Sequence, residues 1–241
     1  MKSRTARSTF VYWLLPALLW LLTWLLGGFH YETNDDLLMS FIARGIAFGE
    51  PVADYAIYFH GFGRAFVWLY KQFPVVPWYG LLLYFLLFIS TQLAFGFIYK
   101  LLKKRWPFKA ICAGLILFFL AGWYEHLFWF NYMRVPFLLA GLAFLNAMPL
   151  AGKTQEPGLP SLLWLTLLFF LALCIRPGAA LLGVLIVLPL VMLQGLKIRK
   201  MLVVSAKQFL PFLIAGIAFA AFLQIKTNDQ AAVYRKLDTL K

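Results

Sequence analysis

Between Phe10 and Phe29 the chain carries no charged residue, and Trp78 to Tyr99 carries none either. A run of about 18 or more apolar residues is long enough to cross the hydrocarbon core of a bilayer as a helix. A helix on the surface of a soluble domain keeps a polar face toward water, and these blocks have none to offer. The wider composition agrees: of 241 residues, 63% are hydrophobic and 13% charged, against roughly half and a quarter in soluble domains. The expected fold is all-α, a polytopic transmembrane helical bundle forming a single membrane domain over residues 1–241.

Seven apolar blocks follow one another, approximately Phe10–Phe29, Trp78–Tyr99, Ala110–Phe128, Met133–Ala151, Leu159–Ile175, Gly178–Leu196 and Met201–Ile225. The fifth is the shortest and ends at Arg176-Pro177, where proline removes a backbone donor and breaks the helix. Charge tests the count. With the N-terminus in the cytoplasm, 13 of the 22 basic residues fall inside, with one acid, Glu156. This is the positive-inside pattern of a plasma (inner) membrane protein, and it leaves the C-terminus outside. If Arg176-Pro177 lay mid-membrane, the Lys197–Lys200 cluster would fall outside, so seven spans are expected rather than six. The net charge of +13 is spread in short clusters between apolar blocks, which argues against a nucleic-acid partner. Cys112 and Cys174 both fall in apolar blocks and read as core fillers. The first block is longer than a signal peptide's apolar region and reads as an uncleaved anchor.

One connection is long. Residues 30–77 form a first outer loop, and loops of this length are uncommon unless they carry function. It opens Tyr31-Glu32-Thr33-Asn34-Asp35-Asp36, with Thr33 or Asn34 as a helix N-cap. Leu38, Phe41, Ile42 and Ile46 then recur at the spacing of one helix face. A second amphipathic stretch carries Phe62, Phe66, Leu69, Tyr70 and Phe73 against Arg64, Lys71 and Gln72. Two such helices beside a bilayer are expected to lie flat in its interface, holding Asp35 and Asp36 at the water–lipid boundary.

Carboxylates at that depth suit one chemistry well. A hydroxyl attacking an activated sugar needs a base for its proton, and the anionic leaving group needs positive charge already in place. His60, Arg64, Arg134 and Arg176 all fall on the outer side and are the candidate phosphate contacts. Nucleotide sugars are made in the cytoplasm, so an outward-facing transferase requires a lipid-anchored donor. The plainer reading of the acids is a helix cap, since aspartate in a first turn gains ~0.3–1 kcal/mol from the helix dipole.

This arrangement resembles the GT-C superfamily of integral-membrane glycosyltransferases, which includes protein O-mannosyltransferases. The shared layout is a first span, an acidic pair opening a long outer loop with two membrane-parallel helices, then six more spans. The resemblance implies a polyprenyl-phosphate-linked sugar donor, Asp35 as the base or a residue at the acceptor site, and Asp36 in the position of the family's second acid. A divalent cation is the cofactor it leaves open, with Asp35 and Asp36 as its ligands. Family members usually continue past the seventh span. Residues 226–241 are therefore expected to be the start of a missing C-terminal part, or to meet a partner that completes the acceptor site.

Other residues have two readings each. Glu125, His126, Asn131 and Arg134 cluster at the outer end of the third and fourth blocks, as a functional group or as a Glu125–Arg134 pair closing a turn. Arg176 either binds a lipid phosphate or snorkels to the interface. His60, beside Gly61 and Gly63, either contacts phosphate or is simply solvated. Two rivals to transfer stand: a membrane transporter or lipid-carrier flippase, and a subunit of an envelope-synthesis complex.

Overall fold

A computed structural model describes residues 2–28, 30–32, 34–53, 58–148, 157–195 and 201–238. The described chain is mostly helical, with one two-stranded sheet. Four helices are long and apolar enough to cross a membrane: α1 (Ala6–Gly27), α4 (Trp78–Leu102), α5 (Phe108–Phe128), and the Lys207–Lys226 part of the last helix. Strand β1 (His30–Tyr31) and helices α2 (Asn34–Arg44) and α3 (Gly63–Gln72) lie between α1 and α4. After α5 come β2 (Trp129–Phe130), α6 (Arg134–Ala147), α7 (Leu159–Ile175), α8 (Pro177–Gly195) and α9 (Met201–Asp238).

Helices thus stand at all seven apolar blocks, but α6, α7 and the described apolar part of α8 are shorter than the other four. At a rise of about 1.5 Å per residue, the 14 residues of α6 reach ~21 Å, less than a hydrocarbon core of ~30 Å. Its end has a local cause. Met148 takes extended backbone, as a residue before proline tends to do. The break at Arg176-Pro177 is real: α7 ends at Ile175, Arg176 is extended, and Pro177 opens α8. Thr33, one of the two N-cap candidates, lies outside the described residues, as do the side chains beyond Lys226.

Both loop helices form where the periodicity places them, and the apolar pattern of α2 stays on its outward face. Asp36, Met39, Ser40 and Ala43 are buried, whereas Leu37, Leu38, Phe41 and Ile46 are exposed. Helix α3 buries Gly63, Phe66 and Tyr70.

Close approach and a few polar bonds hold the helices together. A side chain at Gly96 on α4 would overlap the ring of Tyr12 on α1, and one at Gly183 on α8 would overlap the Phe137 carbonyl on α6. Small residues at such crossings let helix backbones pack closely where water provides no driving force. Thr91 on α4 is fully buried. Its hydroxyl oxygen accepts the indole N–H of Trp20 at 3.2 Å and of Trp123 at 2.8 Å, tying α1, α4 and α5 at one point.

Candidate functional site

The acids are placed by the small sheet. β1 and β2 run parallel, with His30 opposite Trp129 and Tyr31 opposite Phe130. The Glu32 backbone N–H continues the pattern, donating to the Phe130 carbonyl at 3.1 Å. The start of α2 is thereby fixed against the α5–α6 connection, nearly a hundred residues further along the chain. Asn131 builds the other side. Its side-chain oxygen accepts the backbone N–H of Met133 at 2.9 Å and of Arg134 at 2.5 Å, opening α6, while its amide donates to Glu32.

The two aspartates differ sharply in setting. Asp36 has no exposed surface. One of its carboxylate oxygens accepts the Tyr79 hydroxyl at 2.8 Å and the Tyr132 backbone N–H at 3.1 Å. Asp35 is exposed, and its carboxylate accepts the Tyr132 hydroxyl at 3.1 Å. Tyr132 therefore grips both acids, one through its backbone and one through its phenol. Burial, then hydrogen bonds with Tyr58 and Asp35, push the Tyr132 phenol above its ordinary value, so it remains a proton donor across the neutral range. Burial likewise pushes Tyr31 up to about 12, opposed in part by a hydrogen bond with Ser40.

The same tyrosine touches one of the cations. The Arg176 guanidinium lies over the Tyr58 ring, 4.2 Å from its centre, and 5.3 Å from the centre of the Tyr132 ring. The two rings pack at 4.6 Å. Tyr58 is held there because the next two residues cap α7: the Phe59 and His60 backbone N–H groups donate to the Ile175 and Cys174 carbonyls, at 3.1 and 2.7 Å. The cap bends the chain enough that Phe59 takes a φ of +51°, a region uncommon for a bulky side chain.

Arg134 pairs with Glu32 at 2.5 Å and with Glu125 at 3.1 Å. The turn-closing Glu125–Arg134 pair is thus present, and Glu32 joins it. Arg134 and Arg176 nonetheless both line one cavity of about 340 Å³, with His126, Phe137 and Leu182 among its other walls. One guanidinium nitrogen of each arginine is buried with no hydrogen-bond partner among the described residues. Arg134 already meets two carboxylates, whereas Arg176 has no ion pair among the described residues.

Of the six candidate residues, four come together: Asp35, Asp36, Arg134 and Arg176. His60 and Arg64 do not line the cavity. His60 is buried, with its ring 5.8 Å from that of Phe219 on α9, and so is not solvated. Arg64 is exposed on α3. Among the described residues no three His, Cys, Asp or Glu side chains gather to hold a metal ion. The acids do not make a chelating set: Asp36 is committed to Tyr79 and Tyr132, and Glu32 to Arg134 and Asn131. Tyr58, Tyr79 and Tyr132 are the site residues that sequence reasoning missed. Their one signal is position, since Tyr132 stands between Asn131 and Arg134, both already singled out. Compared with family models, curated proteins and solved structures, the chain gives no match.

Proposed function

We propose that this chain is a membrane-embedded glycosyltransferase, or the membrane module of one, moving a sugar from a polyprenyl-phosphate-linked donor to an acceptor hydroxyl on the outer face. One observation carries the reading. Tyr132 bonds an exposed carboxylate, Asp35, and touches Arg176, which lines one cavity together with Arg134. Base and leaving-group cradle are the two parts such a transfer needs, and here one residue holds both.

In this scheme all seven apolar blocks cross the membrane, the bilayer thinning locally around the shorter α6, α7 and α8, with the N-terminus in the cytoplasm and the C-terminus outside. α2 and α3 lie in the outer interface, with Leu37, Leu38 and Phe41 toward lipid. Arg134 and Arg176 hold the donor phosphate. Asp35 takes the proton of the acceptor hydroxyl as its oxygen bonds to the anomeric carbon, and the sugar–phosphate bond breaks with both electrons going to the phosphate. Attack opposite the leaving group inverts the anomeric centre.

Two experiments test this arrangement. In a cysteine-free background, cysteines at Lys104 and Arg199 should be shielded from an impermeant thiol reagent in intact cells, and those at Glu50 and Thr239 should label. Labelling at Arg199 with none at Thr239 would overturn the seven-span arrangement. Mass spectrometry of the protein extracted in mild detergent should find a bound polyprenyl phosphate. Finding bulk phospholipid alone in the cavity would remove the donor assignment.

A further inference from the structure

Arg64, which does not line the arginine cavity, stands in a cationic face of its own. Between Tyr55 and Tyr124 the sequence carries no acidic residue, and α3 lies in this stretch with Arg64 and Lys71. Gly63, Phe66 and Tyr70 are its buried residues. The Tyr70 hydroxyl oxygen accepts the Tyr79 backbone N–H at 3.0 Å, which fastens that side to the start of α4. Arg64, Trp68 and Lys71 stand at the i, i+4, i+7 spacing of one helix face, turned away from the buried one. All three are exposed, Trp68 by 60%. A third cation joins them from α2. The Arg44 guanidinium donates to the Pro74 carbonyl at 3.5 Å, tying the end of α2 to the residues that follow α3. Exposed apolar side chains flank that tie, Ile46 and Phe48 after α2, Phe73 and Val75 after α3.

Two properties of this face select its ligand. Among the described residues none of Arg44, Arg64 and Lys71 makes an ion pair. Glu50 is the one acid described between Arg44 and Glu125, and Asp54 lies outside the described residues. The face therefore attracts anions. Cations set among an indole and aliphatic side chains also need a partner that brings hydrocarbon to the same depth as its charge. An acidic protein or glycan supplies the charge alone and leaves Trp68 and Val75 in water. A phospholipid with a net negative headgroup supplies both. Its phosphate meets the cations, and the tops of its acyl chains meet the indole, at the depth where tryptophan gathers. We infer that the outward face of α3, with Arg44 of α2, binds anionic phospholipid of the phosphatidylglycerol class in the outer leaflet, in preference to zwitterionic lipid. This binding rests on the interfacial placement of α2 and α3 proposed above and needs no sugar transfer.

The test uses the full chain in phosphatidylcholine nanodiscs carrying a trace of one of two photoactivatable probes, phosphatidylglycerol or phosphatidylcholine, each with a diazirine at the top of its acyl chain. Leu25 and Leu26, exposed at the end of α1, serve as the reference. Attraction of anionic lipid is worth about fivefold for each cation at the surface. Relative to Leu25 and Leu26, the phosphatidylglycerol probe should therefore label residues 68–75 at least about fivefold more than the phosphatidylcholine probe. Arg64→Gln combined with Lys71→Gln, both at exposed positions, should remove that excess and leave labelling by the phosphatidylcholine probe unchanged. Equal labelling of residues 68–75 by the two probes in the wild-type chain overturns the inference while keeping α3 in the interface. An excess that survives the double variant overturns it as well. Labelling of Leu25 and Leu26 with none at residues 68–75 takes α3 out of the interface, and the interfacial placement falls together with the lipid site. Capture of soluble heparin by the face, with no preference between the two lipids, assigns it to an acidic glycan instead.

Discussion

Replacing Asp35 with asparagine should leave the chain folded and lower sugar transfer by at least ~10²-fold, the usual worth of general-base assistance. Asparagine keeps the shape of aspartate, can still accept the Tyr132 hydroxyl, and caps a helix about as well. It cannot take a proton. The effect should therefore appear in transfer and not in expression or thermal stability. Asp36 provides the internal control. It is fully buried and bonded to the Tyr79 hydroxyl and the Tyr132 backbone, so Asp36→Asn should disturb transfer less than Asp35→Asn and stability more. The measurement is release of radiolabelled sugar from a lipid-linked donor, beside a melting curve for each variant. A well-folded double asparagine variant that transfers at the wild-type rate would reduce these acids to a helix cap.

The second large effect is expected at Arg176. Among the described residues its guanidinium makes no ion pair, only ring contacts with Tyr58 and Tyr132. Arg176→Gln should therefore weaken polyprenyl-phosphate binding by ~1.5–3 kcal/mol, the scale of a charge-assisted hydrogen bond, or about 10- to 150-fold. Arg176→Lys keeps the charge but loses the planar stack, and should fall between. Arg134→Gln should weaken binding too, but it also leaves Glu32 and Glu125 without their partner, so a loss of stability will accompany it. Titration of each variant with a fluorescent polyprenyl phosphate separates the two. Unchanged binding in both glutamine variants would place the phosphate elsewhere.

Helix positions were readable because charge-free length is a one-dimensional property, and a break such as Arg176-Pro177 is written in two adjacent residues. Orientation was harder to read. Leu38 and Phe41 on α2 face outward, as a helix lying in the interface requires, but no pattern showed that Asp36, Ser40 and Ala43 would pack inward. In water an apolar stripe points to the protein core; beside lipid it can point away, because the bilayer accepts it equally well and polar groups gather inside. His60 lies in a loop by sequence and in the core by packing. The site itself was half legible. Its charges stand out in an apolar chain, but no periodicity joins residue 35 to 132 or 134 to 176. The parallel pairing of β1 with β2 and the capping of α7 by Phe59 and His60 bring them together, and both act through backbone groups that side-chain patterns do not report.

The central claim is that the sugar leaves its lipid carrier. The most direct measurement follows the label in membranes from cells producing this chain, supplied with a radiolabelled polyprenyl-phosphate sugar. The account predicts that the label moves to a second molecule as free polyprenyl phosphate accumulates, and that Asp35→Asn stops both. Label that crosses the bilayer or stays bound while still attached to its polyprenyl phosphate would contradict it, and would make this chain a carrier of the lipid-linked sugar instead.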